Sequence, residues 1–558
     1  MKQRFIVFLV LAILLIAILL VFSACGTTSP TTSAAPTLTG TPVSTPTKTT
    51  ITTTAAPSGT TATPTAAKPK PTGTIRVASV DFSYESTDPI FYESFWGWSM
   101  YDPLVTWDNQ GNYIPAVAES WTLSPDGKTW TFKIRKGIKF HNGDPLTAHD
   151  VKFSVDRFAS PESTNPWSPY LRNNLDYTEV TDDYTFVYHS KVPEPPLIIP
   201  FAWTRIVPKN YMEKVGVEEF RKHPIGSGPW KFVEHVPETR FKMEANTEYW
   251  GQVPAYQYVL DLQVPEESTR IALLRRGDVD IALGISTDRL VELHTKEGFK
   301  LQAIGDPTLW NINFPGTWVT AKPTRDIRVR QAMSYAINRE EIAATFYKGL
   351  AKPGGTWFMH PGSYGWDDAL LPDTYNPAKA KALLAEAGYP GNFSDTKIKY
   401  YVSPGPGVDQ AQLLKGYWDA IGIKVDIEII DAVQWGGMFF VRNVAPNAPN
   451  VGNIFPWTFG STPNSTYHCA NMYTSNGVHS TGNDPKADEL YKKATTELDF
   501  TKARQYWTEF QKYVRGLYIT VGIVQVEPLV LVGPGLGEFT SKTHISLADA
   551  YAGIQHPK

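Results

Sequence analysis

The sequence predicts an α/β fold, because stretches with the twofold period of β-strands and stretches with the helical period follow one another along the chain. Residues 423–430 alternate apolar and polar side chains, as a half-buried strand does. The segment that begins at Asp326 instead has an acid suited to an N-cap, followed by apolar residues at helical spacing. No repeat period is visible. We therefore expect mixed α/β structure throughout the globular part of the chain.

The other elements are predicted by their local signals. Residues 73–80 have the composition of a first strand. Near the middle of the chain, an Asn-Pro pair at 376–377 and Gly388 bracket a helix with a cap, a proline at its first position and a glycine at its end. Asp484, followed by a proline, predicts the start of a later helix.

Residues 115–157 contain an unusually clear run of turn, strand, strand and capped helix. Trp130, Phe132 and Ile134 alternate with polar residues, and an Asp-Gly pair before them suits a hairpin turn. Thr147, with an acid three residues later, can form a capping box at the start of a helix. The segment therefore predicts a β-hairpin followed by a helix.

This segment closely resembles the solute-binding proteins of ABC importers of the oligopeptide, dipeptide and nickel type, known as family 5 or cluster C. The resemblance extends from about Gly73 to the end of the chain. It is supported by five further segments in the family's order: PIGSGPWKF at 224–232, NTEYWG at 246–251, RIALLRRGDVD at 270–280, RDIRVRQAMSYAINREEI at 325–342 and YNPAKAKALLAEAG at 375–388. None of these segments is a catalytic signature.

The resemblance implies a two-lobed periplasmic-binding-protein fold, type II of cluster C, with an extra α+β domain. Lobe I would comprise residues 73–106, 241–312 and 526–558. Residues 107–240 would form the extra domain, and residues 313–525 would form lobe II. The chain would cross between the lobes near Ile312 and Gln525, where it would form a hinge, and closure of the lobes would bury the ligand.

The N-terminus indicates export. Residues 1–25 comprise two basic residues, a long apolar run and a small-residue motif that resembles a lipobox, in which Cys25 would be diacylated. The apolar run is also long enough to approach a membrane span, so an uncleaved signal anchor remains the alternative. Residues 26–72 are rich in Thr, Ser and Pro and predict a disordered tether. Both alternatives place the rest of the chain outside the cytoplasm, at the outer face of the cytoplasmic membrane.

Composition and motifs argue against several function classes. The net charge is −3, so no basic excess is available to hold nucleic acid. Beyond Cys25 the only cysteine is Cys469, which we expect to be a small buried residue. The chain lacks the metalloprotease, P-loop and serine-elbow motifs. His141 and His149 flank a turn and a helix start, where metal ligation is less common than packing. We expect no catalytic residue, no metal site and no cofactor.

The resemblance also implies the ligand-binding residues. Trp457 lies where family members present a Gly-Trp run to the ligand backbone, and Trp435 follows the predicted strand at 423–430. A core-packing role is the alternative for both, since tryptophan usually buries its face to leave water. The remaining candidates are Asp81, Phe82, Ser83 and Tyr84 after the first strand, Trp310 and Asn313 near the predicted hinge, and Arg442, Thr458, Phe459 and Gly460.

The sequence departs from its peptide-binding relatives at two charged positions. Those relatives have an Asp three residues after the cleft tryptophan, which holds the ligand's α-ammonium group, whereas this chain has Gly460. Dipeptide binders also have an Arg in a loop that here, at residues 402–407, contains none. A free short peptide would lose two charge-assisted contacts of about 1.5–3 kcal/mol each.

These observations favour a monomeric receptor that captures an oligopeptide or related solute and delivers it to an ABC permease with its ATPase. An oligosaccharide receptor is the first alternative, because sugar rings stack on aromatic faces and the chain contains 17 Trp and 27 Tyr. A sensory or chaperone-like binding module without transport is the second. Genes for a permease and an ATPase beside this one would favour transport.

Overall fold

The computed structural model describes residues 70–557, except 83–84, 92–95, 109–111, 166, 194–197, 305–306, 355–363, 391–397, 404–405, 440–444, 447, 461–465, 476, 478, 480, 538 and 540–550. Within the described residues, no helix is both long enough and apolar enough to cross a membrane. The predicted signal segment with Cys25 and almost all of the predicted tether lie outside the described residues.

The strands follow one another along the chain as β1 Thr74–Ser79, β2 Val105–Trp107, β3 Tyr113–Pro115, β4 Ala118–Leu123, β5 Thr129–Ile134, β6 Leu175–Asp182, β7 Thr185–Ser190, β8 Trp230–Val236, β9 Arg240–Ala245, β10 Tyr258–Gln263, β11 Ile281–Ala282, β12 Lys300–Ala303, β13 Thr308–Asn313, β14 Ala351–Pro353, β15 Ile398–Val402, β16 Val425–Ile429, β17 Phe455–Gly460, β18 Thr520–Val526 and β19 Leu529–Val532.

The helices alternate with these strands as α1 Gly97–Met100, α2 Ala148–Ala159, α3 Ser168–Asn174, α4 Ile198–Trp203, α5 Lys209–Val215, α6 Val217–Lys222, α7 Glu267–Arg276, α8 Thr287–Glu297, α9 Ile327–Tyr335, α10 Arg339–Glu341, α11 Pro377–Glu386, α12 Pro406–Asp419, α13 Ala432–Phe439, α14 Thr466–Tyr473, α15 Pro485–Thr496 and α16 Phe500–Gly516. Short 3₁₀ turns lie at Pro323–Arg325 and Asp368–Leu370, and a π-helical turn lies at Ile342–Phe346.

The largest sheet has seven strands in the order β12-β19-β11-β1-β10-β9-β8. β1 runs parallel to both β10 and β11, and the remaining pairs are antiparallel. Side chains on alternate positions of the strands enter two different cores, as the twofold period of a sheet requires. Val77 of β1 belongs to the larger core, whereas its neighbour Ala78 belongs to the smaller one. This sheet is thus covered on both faces.

A second sheet has four strands in the order β14-β18-β13-β17, all antiparallel. A parallel pair, β15 and β16, adjoins it through a bridge between Tyr400 and Ile454. A bulge in the pairing of β13 with β18 falls between Trp310 and Asn311. Two separate cores pack around these strands, and one of them contains α15, α16 and the aromatic residues discussed below.

A third sheet, β4-β5-β7-β6, packs with α2 around a core of its own. The predicted hairpin is the β4–β5 pair, and α2 begins directly after Thr147, as the sequence indicated. The backbone N–H of Thr147 donates to Asp150 Oδ2 at 2.9 Å, which is one half of the predicted capping box. The hairpin and helix predictions for this segment are therefore confirmed.

The other local predictions are also confirmed. The first strand and the strand at 423–430 are β1 and β16, each slightly shorter than predicted. The side chains of Asp326, Asn376 and Asp484 accept hydrogen bonds from backbone N–H groups in the first turns of α9, α11 and α15. Cys469 is fully buried, as expected for a small apolar residue.

The chain passes twice between the seven-stranded sheet and the sheet β14-β18-β13-β17, from β12 to β13 and from β18 to β19. Ile312 and Gln525, near which we expected the lobe crossings, lie within β13 and β18. β8, which we assigned to the extra domain, lies at the edge of the seven-stranded sheet.

Candidate functional site

A cluster of aromatic side chains lies beside β17, where we expected the ligand to bind. Trp435 and Trp457 are both half-buried, and their ring centroids lie 5.9 Å apart at an interplanar angle of 85°. Phe439 lies 4.7 Å from Trp457, and His479 lies 4.9 Å from it. The neighbouring Thr458 is exposed. We refer to Trp435, Phe439, Trp457 and His479 as the aromatic cluster.

The local sequence explains how three of these residues meet. The Asp431 carboxylate accepts a hydrogen bond from Gln434 N at 2.8 Å and so starts α13. Trp435 and Phe439 are four residues apart on this helix, so they share one face, and their rings stack at 4.9 Å. Trp457 occupies alternate positions of β17 with the buried Phe455, which places both on one face of the strand.

The aromatic cluster carries no charge at its histidine, His479. Burial lowers the pKa of His479 to about 3, so its imidazole is uncharged at physiological pH. The other three members of the cluster carry no ionisable group. The cluster therefore presents the half-buried faces of Trp435 and Trp457, backed by the buried Phe439 and a buried, neutral imidazole. Such a surface suits apolar, aromatic or amide groups better than a charged terminus.

Trp310 and Asn313, two predicted ligand-binding residues, lie inside the protein. Trp310 is part of an apolar core and is 1% exposed. Asn313 Nδ2 donates to Phe455 O at 3.2 Å, and its Oδ1 accepts from Thr520 Oγ1 at 2.9 Å. These bonds join β13 to β17 and β18. Direct ligand contact by these two residues stays a prediction, and their burial does not favour it.

The loop after β1 is described only in part. Asp81 is exposed, whereas Phe82 is buried and packs edge-on against Trp96 with ring centroids 4.8 Å apart. Ser83 and Tyr84 lie outside the described residues, as does Arg442. For Phe459 and Gly460 the structure describes the backbone, which pairs with Leu309 and Thr308 of β13. The roles predicted for all of these residues remain predictions.

The loop continues into a buried ionic anchor that sequence reasoning missed. The Asp88 carboxylate is fully buried and accepts hydrogen bonds from Arg157 Nη1 and Nη2 at 3.2 and 2.9 Å. Arg221 Nε lies 3.6 Å from the same carboxylate. Both arginines belong to helices of the predicted extra domain. No local sequence pattern predicts such an anchor, because both arginines lie 69 or more residues from Asp88.

Sequence reasoning also missed two members of the aromatic cluster. Phe439 follows Trp435 by one helical turn, so the helical period could have identified it. His479 joins the cluster from a separate segment, and nothing in the sequence near it indicates this contact.

Metal and catalytic chemistry find little support in the described part of the chain. There, no group of three or more His, Cys, Asp or Glu side chains is arranged to hold a metal ion. Burial lowers the pKa of His141 to about 4, and its ring bonds to the backbone of Gly226 and Gly228. His149 lies 3.6 Å from the carboxylate of Asp183. Both histidines thus have structural partners.

The sequence matches a known family and its members. The sequence model for the bacterial extracellular solute-binding proteins, family 5 Middle, matches residues 112–467. The dipeptide-binding protein of Escherichia coli K12 is 30% identical over 353 residues, which cover 58% of this chain and 64% of that protein. The glutathione-binding protein GsiB of Pectobacterium atrosepticum is 30% identical over 349 residues, covering 60% and 64% respectively. The matched part thus spans slightly less than two thirds of these relatives.

Solved structures show the same two-lobed α/β fold. NikA from Brucella suis, in complex with Fe(III)-EDTA, superposes with a TM-score of 0.76 at 21% identity, covering 87% of this chain and all of that one. DppA from Helicobacter pylori, in complex with the peptide STSA, superposes with a TM-score of 0.69 at 21% identity, covering 87% and 98%. These likenesses establish the periplasmic-binding-protein fold.

Proposed function

Because the chain belongs to family 5 of the bacterial extracellular solute-binding proteins, we propose that it is the substrate-binding component of an ABC importer. It captures an oligopeptide or related solute between two lobes and delivers it to a membrane permease. Similar proteins named for dipeptide and glutathione binding support a peptide-type ligand. The observation that carries this proposal is the pair of half-buried tryptophans, Trp435 and Trp457, in the aromatic cluster beside β17.

The position of β17 supports recognition of a peptide backbone. β17 lies at the edge of the four-stranded sheet, with β13 on its inner side. Beyond the bridge between Tyr400 and Ile454, no strand in the described ranges pairs with its outer side. An edge strand offers N–H and C=O groups to an extended peptide, and the adjacent aromatic faces can receive its side chains. Backbone bonding of this kind is independent of the peptide's sequence.

Charge at the site argues against very short free peptides. Gly460 occupies the place of the acid that binds the ligand's ammonium group in related peptide binders, and His479 is neutral. A free di- or tripeptide would therefore have two unpaired charged ends close together in a partly desolvated site, which is costly. Longer peptides, or peptides with blocked ends, keep such charges away from the aromatic cluster. We therefore favour these as ligands.

The ligand class is tested by mass spectrometry of the small molecules released when the purified protein is denatured. We expect peptides longer than three residues. Released oligosaccharides would instead support the alternative receptor, since sugar rings stack on half-buried tryptophan faces such as those of Trp435 and Trp457. Recovery of free dipeptides as the main species would contradict the charge argument.

The N-terminal segment completes the proposal. We propose that Cys25 is diacylated and anchors the protein to the outer face of the cytoplasmic membrane, with residues 26–72 as the tether. Two acyl chains bind a membrane stably, whereas one binds only marginally. Metabolic labelling with a fatty-acid analogue should mark the native protein and not the Cys25→Ser variant. Labelling of that variant to the native level would contradict acylation at this site and favour the signal-anchor alternative.

The proposed lobes follow the sheets. Lobe I is built around the seven-stranded sheet, the extra domain around β4-β5-β7-β6, and lobe II around the four-stranded sheet and the β15–β16 pair. The connections from β12 to β13 and from β18 to β19 form the hinge. In this arrangement the exposed Asp81, in the loop after β1, approaches the ligand from lobe I and the aromatic cluster approaches it from lobe II, as a monomeric clamp.

A further inference from the structure

The turn between β4 and β5 touches the turn between α15 and α16, although the two belong to the extra domain and to lobe II. A Cβ atom placed on Gly127 would lie 2.6 Å from Leu498 Cδ2 and 3.1 Å from Pro193 Cβ. Gly127 also has a φ of +71°, which side-chain-bearing residues rarely adopt. The chain therefore has a residue without a side chain at this contact between the two domains.

Tyr113 and Tyr364 also lie one in each of these two domains. Burial raises the pKa of Tyr113, and the phenol of Tyr364 adds a smaller effect in the same direction. Tyr113 belongs to β3, beside the extra domain's sheet, and Tyr364 belongs to lobe II. Gln511 Nε2 donates to Tyr364 O at 3.1 Å, and Thr508 Oγ1 donates to Gly365 O at 2.8 Å. The segment that contains Tyr364 is therefore bonded to α16, the helix that follows Leu498.

The part of lobe II that contacts Gly127 is continuous with the candidate site. α15 and α16 pack in the same apolar core as Trp435 and Trp457. A core packed at ordinary protein density moves as one body. Movement of lobe II about its hinge would therefore carry the aromatic cluster together with Leu498. The contact between Leu498 and Gly127 would therefore form or break as the aromatic cluster moves toward or away from the rest of the protein.

The contact is also of a kind that can break and re-form. Leu498 is 37% exposed and Phe500, two residues further on, is 59% exposed. The turn between α15 and α16 therefore buries little apolar surface against the extra domain. The contact contains apolar groups at its centre and no ion pair between the two turns among the residues described. A small apolar contact of this type adds a modest bias toward one arrangement without preventing opening.

We propose that the β4–β5 turn is a latch: Leu498 docks on Gly127 and Pro193 when lobe II closes, and this contact slows ligand release. The extra domain thereby takes part in binding without touching the ligand. The proposal rests on the proposed function, since it assumes that lobe closure retains a solute.

Cross-linking tests the contact without any ligand. Pro193→Cys and Leu498→Cys are introduced together into the full chain carrying Cys25→Ser, in which the remaining Cys469 is buried. A short bis-maleimide should link this pair much faster than a control pair with Tyr375→Cys in place of Leu498→Cys. Small-angle scattering should then show a smaller radius of gyration for the linked protein than for the unlinked one. Equal linking of the two pairs, or equal radii, would overturn the latch.

Release kinetics test its consequence. A fluorescent mixture of pentapeptides with both ends blocked is bound, and its release is followed by stopped flow. Leu498→Asp places a charge against the apolar turn and should accelerate release at least tenfold. Phe500→Asp is the matched control, because it adds the same charge two residues away, and should change the rate less than twofold. Equal acceleration by both variants would refute the latch.

The two proposals fail in different ways. If the unmodified protein binds none of these blocked pentapeptides, the proposed ligand class is wrong, and the latch is judged by cross-linking and scattering alone. If the pentapeptides bind and Leu498→Asp releases them at the unmodified rate, the latch is wrong and the proposed function stands.

Discussion

Asp261 allows a direct test of how burial in lobe I changes the pKa of a carboxyl group. It lies on β10 between Val77 of β1 and Phe241 of β9, on the face that enters the larger core, and it is 1% exposed. Its Oδ1 accepts a hydrogen bond from Ser79 Oγ at 2.6 Å, whereas its Oδ2 makes no hydrogen bond of ordinary geometry in the structure. Burial raises the pKa of Asp261 to about 7, despite opposing effects of Ser79 and Trp96.

The sign of the pH dependence follows from this pKa. The folded chain holds the proton on Asp261 more tightly than the unfolded chain does, because its ordinary pKa is 3.8. Between these two values the folded state binds more protons, so the free energy of unfolding falls as pH rises from about 4 to about 7. At 1.36 kcal/mol per pKa unit, the whole loss is about 4 kcal/mol. Between pH 5 and pH 8 it is about 2–3 kcal/mol.

Asp261→Asn removes the titrating group and keeps an acceptor for Ser79. We expect the free energy of unfolding of the variant to exceed that of the native protein by about 2–3 kcal/mol more at pH 8 than at pH 5. Urea unfolding followed by tryptophan fluorescence measures this difference. Ser79→Ala removes a group that lowers the pKa and should make the native pH dependence steeper. The reasoning would be refuted if the free energies of unfolding of the native protein and Asp261→Asn differed by the same amount at pH 5 and at pH 8.

Three further predictions follow from single contacts. Asp88→Asn leaves two arginines facing a neutral side chain, so the free energy of unfolding should fall by about 3–5 kcal/mol in urea titrations. Gly226→Ala would place its Cβ 2.0 Å from Met100 O and should lower the melting temperature, whereas Gly416→Ala, in an open helical position, should raise it slightly. Trp457→Ala should weaken binding of blocked pentapeptides more than tenfold by calorimetry. Trp418→Ala, which truncates a buried core tryptophan, is the control and should leave the affinity of the folded protein unchanged. Unchanged affinity in Trp457→Ala, or equal melting shifts in the two glycine variants, would contradict these expectations.

Much of the fold could be predicted from the sequence, because its signals are local. The capping acid of α9, the hairpin of β4 and β5 and the start of α2 each depend on residues within one or two turns of one another. The order of such segments also carried the family resemblance. In the candidate site, the family resemblance pointed to Trp435 and Trp457, but only the structure placed them on α13 and β17. The sequence could not establish that Trp310 and Asn313 are buried, because burial depends on which strands cover them.

The sequence by itself determined the α/β class and the family, and it singled out the aromatic residues that we predict to bind the ligand, since periodicity, caps and motif order are properties of neighbouring residues. Only the tertiary structure decided that His479 packs against Trp457, that Asp261 is enclosed in a core, and that Gly127 touches Leu498. Each of these contacts joins segments that are far apart in the chain. Their existence depends on how whole sheets and helices pack, and this packing sets the burial, and hence the charge, of the groups involved.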